Sequence, residues 1–405
     1  MSTALGNQRI PMSGLPRSAQ SLLQMLEGMH CGQLTLKTPE GDILQFQGAE
    51  SGIHAEWVVN DWRILSLLAR DGDIAFGRGY MEGLWESSDP VALLRLAIAN
   101  RGMVEKYIEG SWFRRLIFTL LNRLLRANTR RGSRKNISFH YDLGNEFYQL
   151  WLDSSMTYSS ALYDGDDSLT LTDAQERKYA RALSALNLAP GSRLLEIGCG
   201  WGGFAEYAAR RGFFVHGITL SKEQLAYAKE RLEKQGLSHL TEFSLMDYRD
   251  LQGHYDGIVS IEMLEAVGAE WWSSYFQQIH QLLRRGGRAL IQSITIADAR
   301  FSAYQKSSDF IRHYVFPGGM LPSPARLQEE ISTAGLQLLE RKDFGQDYAR
   351  TLRIWRQRFD IQEEAVKSLG YDSVFCKMWR FYLVYCEAGF AEGEIDLTQV
   401  TLTHG

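Results

Sequence analysis

The sequence predicts an α/β fold in which a doubly wound parallel sheet follows a small N-terminal α+β domain. From residue 139 onward, short apolar runs typical of buried strands alternate with amphipathic segments typical of helices. This alternation indicates an open sheet with helices on its faces. Before residue 105, two segments of alternating polar and apolar residues, 32–37 and 42–47, flank a Pro-Glu-Gly turn. That pattern is typical of a β-hairpin.

These observations divide the chain into three parts. The first is a small α+β domain over 1–105, the second a basic linker over 106–138, and the third a catalytic domain over 139–405. In the first part we also expect a strand at 55–59 and helices near 19–28, 61–71 and 88–101. The strands predicted in the third part, with helices such as 222–235 and 271–283 between them, are 192–197, 213–219, 240–245, 255–261 and 287–296.

Composition argues against several classes of protein. The net charge of −4 gives no global reason to expect nucleic acid as a partner. The four cysteines have no CxxC spacing, so we expect neither a metal site nor a disulfide framework. No apolar run reaches 18 residues, and the N-terminus lacks the pattern of a secretory signal. We therefore expect a cytoplasmic protein.

The segment 113–135 is amphipathic and basic within a chain that is acidic overall. Eight Lys or Arg residues occur between positions 114 and 135 without one acidic residue. In one interpretation, a linker helix packs its Leu and Ile residues on the catalytic domain. In the other, a surface helix meets anionic phospholipid at roughly 1 kcal/mol per basic residue, which predicts a protein peripheral to the inner face of the membrane.

A glycine-rich turn follows the first strand of the predicted sheet. Glu196 stands at the end of that strand, and Gly198 and Gly200 lie in the turn. Glycines let a ligand lie against backbone amides at the start of a helix. In dinucleotide sites the acidic residue follows such a turn by about 20 residues. Here it precedes the turn, where it can hold the amino group of an amino-acid-bearing cofactor, so S-adenosylmethionine (SAM) is favoured over NAD.

The second and third strands end in polar residues that fit the same ligand. Thr219, Ser221 and Gln224 are neutral groups that can meet hydroxyls, where an Asp or Glu is more usual. Ser221 and Gln224 also have the spacing of a helix capping box. After the third strand, Asp247 can accept from an adenine amino group with Tyr248 beside the ring. Alternatively, both belong only to a polar turn.

The segments after the fourth and fifth strands are candidates for the reacting end of the site. Glu262 and Glu265 follow the fourth strand, where side chains enter the cleft. Either can position a base or hold an anion through a shared proton, and they face the same way only if the chain turns helical there. The aromatic-rich insertion 297–325 is typical either of a lid over an apolar substrate or of a buried helical hairpin.

Several motifs occur in one order along the catalytic part. The most specific are HYDLGN at 140–145, MTYSS at 156–160, GCGWGG at 198–203, MLEAVG at 263–268 and FPGG at 316–319. Together they resemble the cyclopropane-fatty-acyl-phospholipid synthase family, SAM-dependent enzymes that modify double bonds in lipid acyl chains. Residues 76–85 are similar to the N-terminal lipid-binding domain of that family.

The resemblance implies a methyltransferase-type sheet with SAM as the cofactor and no metal. It also makes a homodimer a reasonable expectation. In addition to Glu196, the residues that would line the SAM site are Tyr158, Ser159, Gly198, Gly200, Thr219, Leu220, Gln224, Asp247 and Tyr248.

The family also holds a bicarbonate ion beside the reacting carbon, gripped by a Cys, a Glu, a His, a backbone group and a Tyr. The Glu matches Glu265, the backbone group falls near Ile294, and the Tyr matches Tyr348. The Cys and His positions hold Ser160 and Gln292, two departures in one small cluster. Ser160 can still donate a hydrogen bond, and Gln292 offers both a donor and an acceptor.

What the resemblance implies is methylenation of a cis double bond in phospholipid acyl chains, with bicarbonate as the base that closes the cyclopropane ring. If Ser160 and Gln292 prevent the bicarbonate ion from binding, a hydride shift and loss of a different proton would give a methyl-branched olefin instead. A methyltransferase for a small soluble acceptor and a catalytically silent lipid-binding protein are further alternatives. The aromatic insertion argues against the former, and the intact Glu196 loop against the latter.

Overall fold

The computed structural model describes residues 15–108 and 143–405, the side chains of residues 105–108 excepted. The basic segment 113–135 lies outside the described residues. No helix in the described ranges is long and apolar enough to cross a membrane.

The N-terminal region forms a four-stranded mixed sheet covered by helices. Its strands are β1 (Cys31–Lys37), β2 (Ile43–Gln47), β3 (Glu50–Val59) and β4 (Trp85–Glu86), in the order β2-β1-β3-β4. Its helices are α1 (Arg17–Leu26), α2 (Arg63–Met81), α3 (Pro90–Ala99) and α4 (Arg101–Ile108). Strands β1 and β2 pair antiparallel across the predicted turn, and every second residue of each is buried. Helix α2 runs ten residues beyond the predicted end at 71, through a kink at Gly72.

The second region contains a seven-stranded sheet in the order β10-β11-β9-β8-β5-β6-β7. Its strands are β5 (Arg193–Ile197), β6 (Phe214–Thr219), β7 (Thr241–Leu245), β8 (Tyr255–Ile261), β9 (Leu283–Ile296), β10 (Leu336–Asp343) and β11 (Ile395–His404). Strands β5 to β9 are parallel, and β11 pairs antiparallel with both β9 and β10. The predicted α/β class is confirmed, although β10 and β11 are not among the five predicted strands.

The second region also contains helices. They are α5 (Asn145–Gln149), α6 (Leu171–Ala185), α7 (Gly203–Ala209), α8 (Lys222–Lys234), α9 (Leu264–Val267), α10 (Trp272–Leu282), α11 (Asp298–Gln305), α12 (Pro324–Thr333), α13 (Gly345–Ile361), α14 (Glu363–Ser368) and α15 (Ser373–Ala391). One buried cluster joins the sheet to α10 and α12, and another joins it to α6, α7 and α8. The sheet is therefore covered on both faces, as its near-continuous apolar strands require.

The N-terminal region packs directly against the catalytic region through helices α2, α3 and α15. A Cβ placed on Gly77 of α2 would lie 2.2 Å from the ring of Phe310, so only glycine fits there. Phe310 in turn packs edge-on against Phe381 of α15, with their centroids 4.7 Å apart. The buried Asp73 carboxylate accepts a 2.7 Å hydrogen bond from the Tyr385 hydroxyl. These contacts hold the N-terminal region against the second region.

Candidate active site

A cavity of about 1260 Å³ lies where the carboxyl ends of β5, β6, β8 and β9 meet the N-terminal region. We distinguish two parts of its wall. The cofactor part is formed by the chain after β5, β6 and β7, together with residues 156–159. The apolar part comes from α3, the 297–325 insertion and α13, and includes Leu94, Ala97, Ile98, Ile311, Phe316 and Leu352. The insertion thus covers an apolar space, whichever of its two predicted roles applies.

The glycine turn presents bare backbone to the cofactor part. Gly198 and Gly200 have φ of 81° and 51°, values that favour glycine. A Cβ on Gly198 would lie 2.3 Å from the side chain of Met263, whereas a Cβ on Gly200 would have no atom within 4 Å. Space for a ligand therefore remains beside the turn, as a bound cofactor requires.

Glu196 is a buried carboxylate with an unused acceptor in the cavity wall. It is 5% exposed, and its Oε2 has no hydrogen-bond partner among the residues that the structure describes. Burial raises the pKa of Glu196 well above its usual range, against the nearby positive charges of Arg231 and Lys178. A cationic amino group placed at Oε2 would satisfy both the orphaned acceptor and the buried charge.

The residues after β6 form a compact polar corner. Ser221 caps α8, since its Oγ accepts from the Gln224 N–H at 3.2 Å. The side chain of Gln224 does not return to the Ser221 N–H, which donates to Thr219 Oγ1 at 3.1 Å. Instead, Thr219 Oγ1 donates to Gln224 Oε1 at 3.0 Å. The helix cap is therefore present without the full capping box, and both Thr219 and Gln224 line the cavity.

Asp247 forms a polar turn and does not line the cavity. Its Oδ1 and Oδ2 accept from the Arg249 guanidinium at 2.9 and 2.6 Å, and its side chain is 3% exposed. Met246 and Tyr248, on either side of it, do line the cavity. Of the ten residues assigned to the cofactor from sequence, the other nine all lie in the wall. The contact between Asp247 and an adenine amino group stays a prediction.

Helix α6 holds the segment 158–160 from behind. Gln175 Nε2 donates to the Ser159 carbonyl at 2.9 Å, and Lys178 Nζ donates to Ser159 Oγ at 2.6 Å. Lys178 is fully buried, and this burial lowers its pKa to about 7 despite the nearby carboxylates of Glu262, Asp153 and Glu196. Sequence reasoning assigned no role to Lys178. The available signal was its position on the apolar face of α6 beside Ala174 and Ala182.

Glu262 lies at the centre of the reacting end. Its Oε1 accepts from the Ser160 N–H at 2.9 Å and from Gln292 Nε2 at 2.8 Å, and its Oε2 accepts from the Tyr348 hydroxyl at 2.7 Å. Burial raises the pKa of Glu262, and these three donors and Lys178 oppose that rise. Glu262 has φ of 53°, in the left-handed region that a residue with a Cβ rarely adopts.

Glu265 occupies a neighbouring position on the first turn of α9. Its Oε1 accepts from the Ile294 N–H at 2.5 Å and from Ser293 Oγ at 3.0 Å. Its Oε2 has no hydrogen-bond partner in the described part of the chain. Burial, followed by the negative charge of Glu262, raises the pKa of Glu265 to about 7. Both carboxylates line the cavity because the chain turns helical after β8.

The structure brings the five predicted catalytic residues together, but not around one carboxylate. Ser160, Gln292 and Tyr348 converge on Glu262, which is a candidate from the sequence but not one of the five predicted catalytic residues. Ile294 alone of the five bonds Glu265. Ser160 contributes its backbone N–H, because its hydroxyl donates to the Ala161 carbonyl at 2.9 Å. The structure gives the Ser160 hydroxyl a backbone partner, and its bond to an anion stays a prediction.

The residues present fit SAM. Glu196 offers a free acceptor for the amino group, Gly198 and Gly200 leave room beside the backbone, and Thr219 and Gln224 offer neutral groups for hydroxyls. Across 15–108 and 143–405, no group of three or more His, Cys, Asp or Glu residues is arranged to hold a metal ion.

The chain matches known sequences over most of its length. Residues 128–400 match the family described as mycolic acid cyclopropane synthetase. The chain is 39% identical over 346 residues to the tuberculostearic acid methyltransferase UfaA1 of Mycobacterium tuberculosis, covering 83% of this chain and 80% of that protein. A probable fatty acid methyltransferase of Pseudomonas putida is 38% identical over 68% of this chain and 70% of its own length. The cyclopropane-fatty-acyl-phospholipid synthase of Escherichia coli K12 is 32% identical, with 83% of this chain and 84% of that protein covered.

Solved structures give the same picture. The cyclopropane synthase MmaA2 from Mycobacterium tuberculosis superposes with a TM-score of 0.62 at 30% identity, over 69% of this chain and 99% of that one. The mycolic acid cyclopropane synthase CmaA1, complexed with SAH and CTAB, superposes with a TM-score of 0.62 at 32% identity, over 66% and 97% of the respective chains.

Proposed function

Because this chain belongs to the mycolic acid cyclopropane synthetase family, and is therefore a SAM-dependent methyltransferase, we propose that it methylates the cis double bond of an unsaturated phospholipid acyl chain. The product we propose is a methyl-branched olefin rather than a cyclopropane. The observation that carries this choice is that Glu262 takes up the donors of Ser160, Gln292 and Tyr348, which would otherwise hold a free bicarbonate ion. The similarity to two fatty acid methyltransferases agrees with it.

The apolar part of the cavity suits an acyl chain. Ile98 of α3, Phe316 of the insertion and Leu352 of α13 offer only hydrocarbon to a ligand, and all three are well separated in sequence. Burying a chain there removes apolar surface from water at about 25 cal/mol per Å². A small soluble acceptor would leave most of this wall without contacts. The double bond would lie where the apolar and cofactor parts meet, near Glu262 and Glu265.

The reacting end can stabilise positive charge on the substrate. When bound, SAM supplies a methyl group made electrophilic by its positively charged sulfur. Attack by the double bond leaves a carbocation, which the carboxylates of Glu262 and Glu265 stabilise through space. The ring of Tyr348, 4.5 Å from that of Phe390 between centroids, adds an aromatic wall that can contribute about 0.5–2 kcal/mol. The apolar wall also keeps out water that would trap the cation.

The test is a product analysis. The purified protein is incubated with SAM and liposomes of a cis-monounsaturated phospholipid, and the released fatty acids are examined by mass spectrometry and proton NMR. We expect a product one methylene unit heavier, with olefinic protons beside a new methyl or methylene group. Liposomes of the saturated phospholipid serve as the matched control and should give no product. Far-upfield cyclopropyl protons would overturn the choice of product, and methylation of only water-soluble acceptors would overturn the lipid substrate.

A second candidate, cyclopropane formation, rests on a specific observation. Glu265, Ile294 and Tyr348 all stand where the family resemblance places bicarbonate ligands, and Glu265 Oε2 has no partner within the described residues. An anion held there could still remove a proton from the new methyl group and close the ring. The upfield NMR signals described above would establish this alternative.

We also propose that the basic segment 113–135 brings the enzyme to anionic phospholipid at the inner face of the membrane. The argument is its charge alone, eight basic residues and no acidic one between positions 114 and 135. Replacement of Arg114, Arg115, Arg130 and Arg131 with Ala should weaken sedimentation with anionic liposomes. Binding to neutral liposomes is the control, and unchanged binding to anionic ones would contradict the proposal.

A further inference from the structure

We propose that the carboxylate of Glu262 is the base of this reaction, a side chain of the protein that takes the place of a free anion and accepts the proton lost by the substrate. The inference rests on the proposed function, which it extends from the substrate to the proton acceptor. It chooses one role, that of the base itself, for a residue whose role the sequence left open.

The site around Glu262 has the shape that a small planar anion needs. A carboxylate and a bicarbonate ion both present two acceptor oxygens in a plane. Oε1 receives the Ser160 N–H and Gln292 Nε2, while Oε2 receives the Tyr348 hydroxyl. Because each carboxylate oxygen can accept more than one hydrogen bond, Oε2 retains acceptor capacity for a proton. Glu262 and Tyr348 both line the cavity, so that capacity lies at the reacting end.

A series of hydrogen-bonded side chains fixes the direction of the bond between Gln292 and Glu262. Arg181 Nε donates to Gln399 Oε1 at 2.9 Å, and Gln399 Nε2 donates to Gln292 Oε1 at 2.9 Å. Gln292 must then offer its N–H to Glu262. Arginine can only donate, so it sets the orientation of both amides in turn. Gln292 and Gln399 are at most 1% exposed, which leaves the amides no water to turn toward. The chain therefore favours Glu262 as an acceptor, in its ionised form.

The backbone of Glu262 is strained. Its φ of 53° is unfavourable for a residue with a Cβ, whereas glycine would adopt it without strain. A large acidic side chain kept in such a conformation at the end of β8 indicates that the carboxylate itself is needed there. For the same reason, Glu262→Gly should not destabilise the backbone, because glycine adopts this φ without strain. The substitution also removes the carboxylate and leaves space for a small anion.

The proton that reaches Glu262 comes from a C–H bond of the substrate. The electron pair of the double bond forms the new carbon–carbon bond to the methyl group, and sulfur keeps the pair of the carbon–sulfur bond that breaks. This leaves a positive carbon in the chain. A neighbouring C–H bond, reached directly or after a hydride shift, gives its electron pair to form the olefin. Its proton forms an O–H bond with Glu262 Oε2 and later passes to solvent, so the carboxylate is regenerated.

The experiment compares Glu262→Gln and Glu262→Gly with wild type. In CO₂-free buffer we expect wild-type turnover to be unchanged, because no free anion is needed. Glu262→Gln keeps the shape but cannot take the proton, and should lose about 100-fold or more in kcat. Glu262→Gly should be equally slow in CO₂-free buffer, and bicarbonate or formate should restore part of its turnover. The Kd for SAM, measured by calorimetry, should stay close to the wild-type value in both variants, which would show that they fold, because SAM binds only the folded state.

A second readout needs neither SAM nor lipid. Carbon-13 bicarbonate NMR should show broadening of the ion's signal with Glu262→Gly and none with wild type. Bicarbonate binding by wild type, loss of its activity in CO₂-free buffer, or near wild-type turnover of Glu262→Gln would each overturn the inference. If wild type makes no product from any unsaturated lipid, the proposed function fails. The binding measurement would still report whether Glu262 fills the anion site.

The positioning role of Gln399 has its own test. In Gln399→Met, Gln292 is free to turn its oxygen toward Glu262, which would favour the protonated acid. The acidic limb of the kcat–pH profile should then move to higher pH, because the base must be ionised to work. A fall in kcat without a shift of the acidic limb would show that Gln399 has only a structural role.

Discussion

The cofactor part and the apolar part of the cavity are built in different ways. Each contribution to the cofactor part is a short stretch at the end of a strand, such as Glu196 to Gly200 after β5. The apolar part is assembled from distant segments, with Ile98 in the N-terminal region and Leu352 more than two hundred residues later. Local motifs therefore determine which cofactor binds, whereas long-range packing determines which substrate fits. Substitutions in the two parts should separate cofactor affinity from substrate affinity.

The largest effect is expected from Glu196→Gln in the cofactor part. The amide keeps the shape but loses the charge that would hold an amino group, and a charge-assisted hydrogen bond is worth about 1.5–3 kcal/mol. The Kd for SAM, measured by calorimetry, should therefore rise about 10- to 150-fold. Glu242→Gln on β7 is the control, because that carboxylate is 63% exposed. Equal affinities for the two variants would contradict a cofactor role for Glu196.

The apolar part is tested by Ile98→Trp and Ala99→Trp, neighbours on α3. Ile98 lines the cavity and Ala99 is exposed outside it. The indole would occupy space that the acyl chain needs, so Ile98→Trp should raise the KM for the lipid substrate by about tenfold, or about 1.4 kcal/mol. The Kd for SAM should not change in either variant. A similar KM for both variants would mean that the acyl chain does not reach α3.

Because Lys178 is buried behind the cofactor part, we expect the free energy of unfolding to depend on pH. Burial lowers its pKa to about 7, whereas the unfolded side chain titrates near pH ~10.4. Between these values the unfolded chain holds a proton that the folded chain lacks. The folded state therefore carries the full cost of the buried charge below pH 7, and stability rises as pH increases through this window.

Lys178→Met should remove that rise. In urea unfolding from pH 7 to 9, the free energy of unfolding of wild type should gain up to about 1.4 kcal/mol per pH unit relative to the variant. Lys229→Met, at an exposed position on α8, reports the general effect of replacing a lysine. A difference that stays constant over this range would show that Lys178 keeps its charge when buried.

The smallest effect is expected from Ser221→Ala at the start of α8. Loss of a helix N-cap costs about 1 kcal/mol, and urea unfolding should show this. Ser323 caps α12 through the same kind of bond, to the Arg326 N–H, so Ser323→Ala should cost a similar amount. Only Ser221→Ala should weaken SAM binding, by a few fold, because only Ser221 supports the corner of Thr219 and Gln224. Equal Kd values would place that corner outside the cofactor contacts.

The contrast between the two parts also separates what the sequence could predict from what it could not. Strands β5 to β9 are apolar runs followed by turns, so periodicity locates them, and the glycine turn after β5 identifies the cofactor chemistry. Strand β11 buries Thr398, Gln399 and Thr401, and its polar pattern does not differ from that of a surface segment. The sequence therefore does not predict a strand that buries its hydroxyl and amide groups. For the same reason it does not predict that Gln399 is the partner of Gln292.

The arrangement around Glu262 depends on features that one-dimensional patterns do not contain. Its donors come from Ser160, Gln292 and Tyr348, which lie on three elements far apart in the chain. The direction of its side chain depends on a left-handed φ at a non-glycine residue, which the sequence alone does not predict. The motifs were enough to identify the types of residue at the reacting end. Only the fold shows which of the two glutamates, Glu262 or Glu265, these residues surround.

The contact between Gly77 and Phe310 limits how the protein can be divided or rebuilt. Helix α2 reaches the insertion so closely that even a methyl group at position 77 would displace the aromatic ring. A shortened enzyme that begins after the N-terminal sheet would leave Phe310 and Phe381 facing water and would open the apolar part of the cavity to solvent. An engineer who wished to exchange lipid preference between relatives would therefore have to transplant the two regions together.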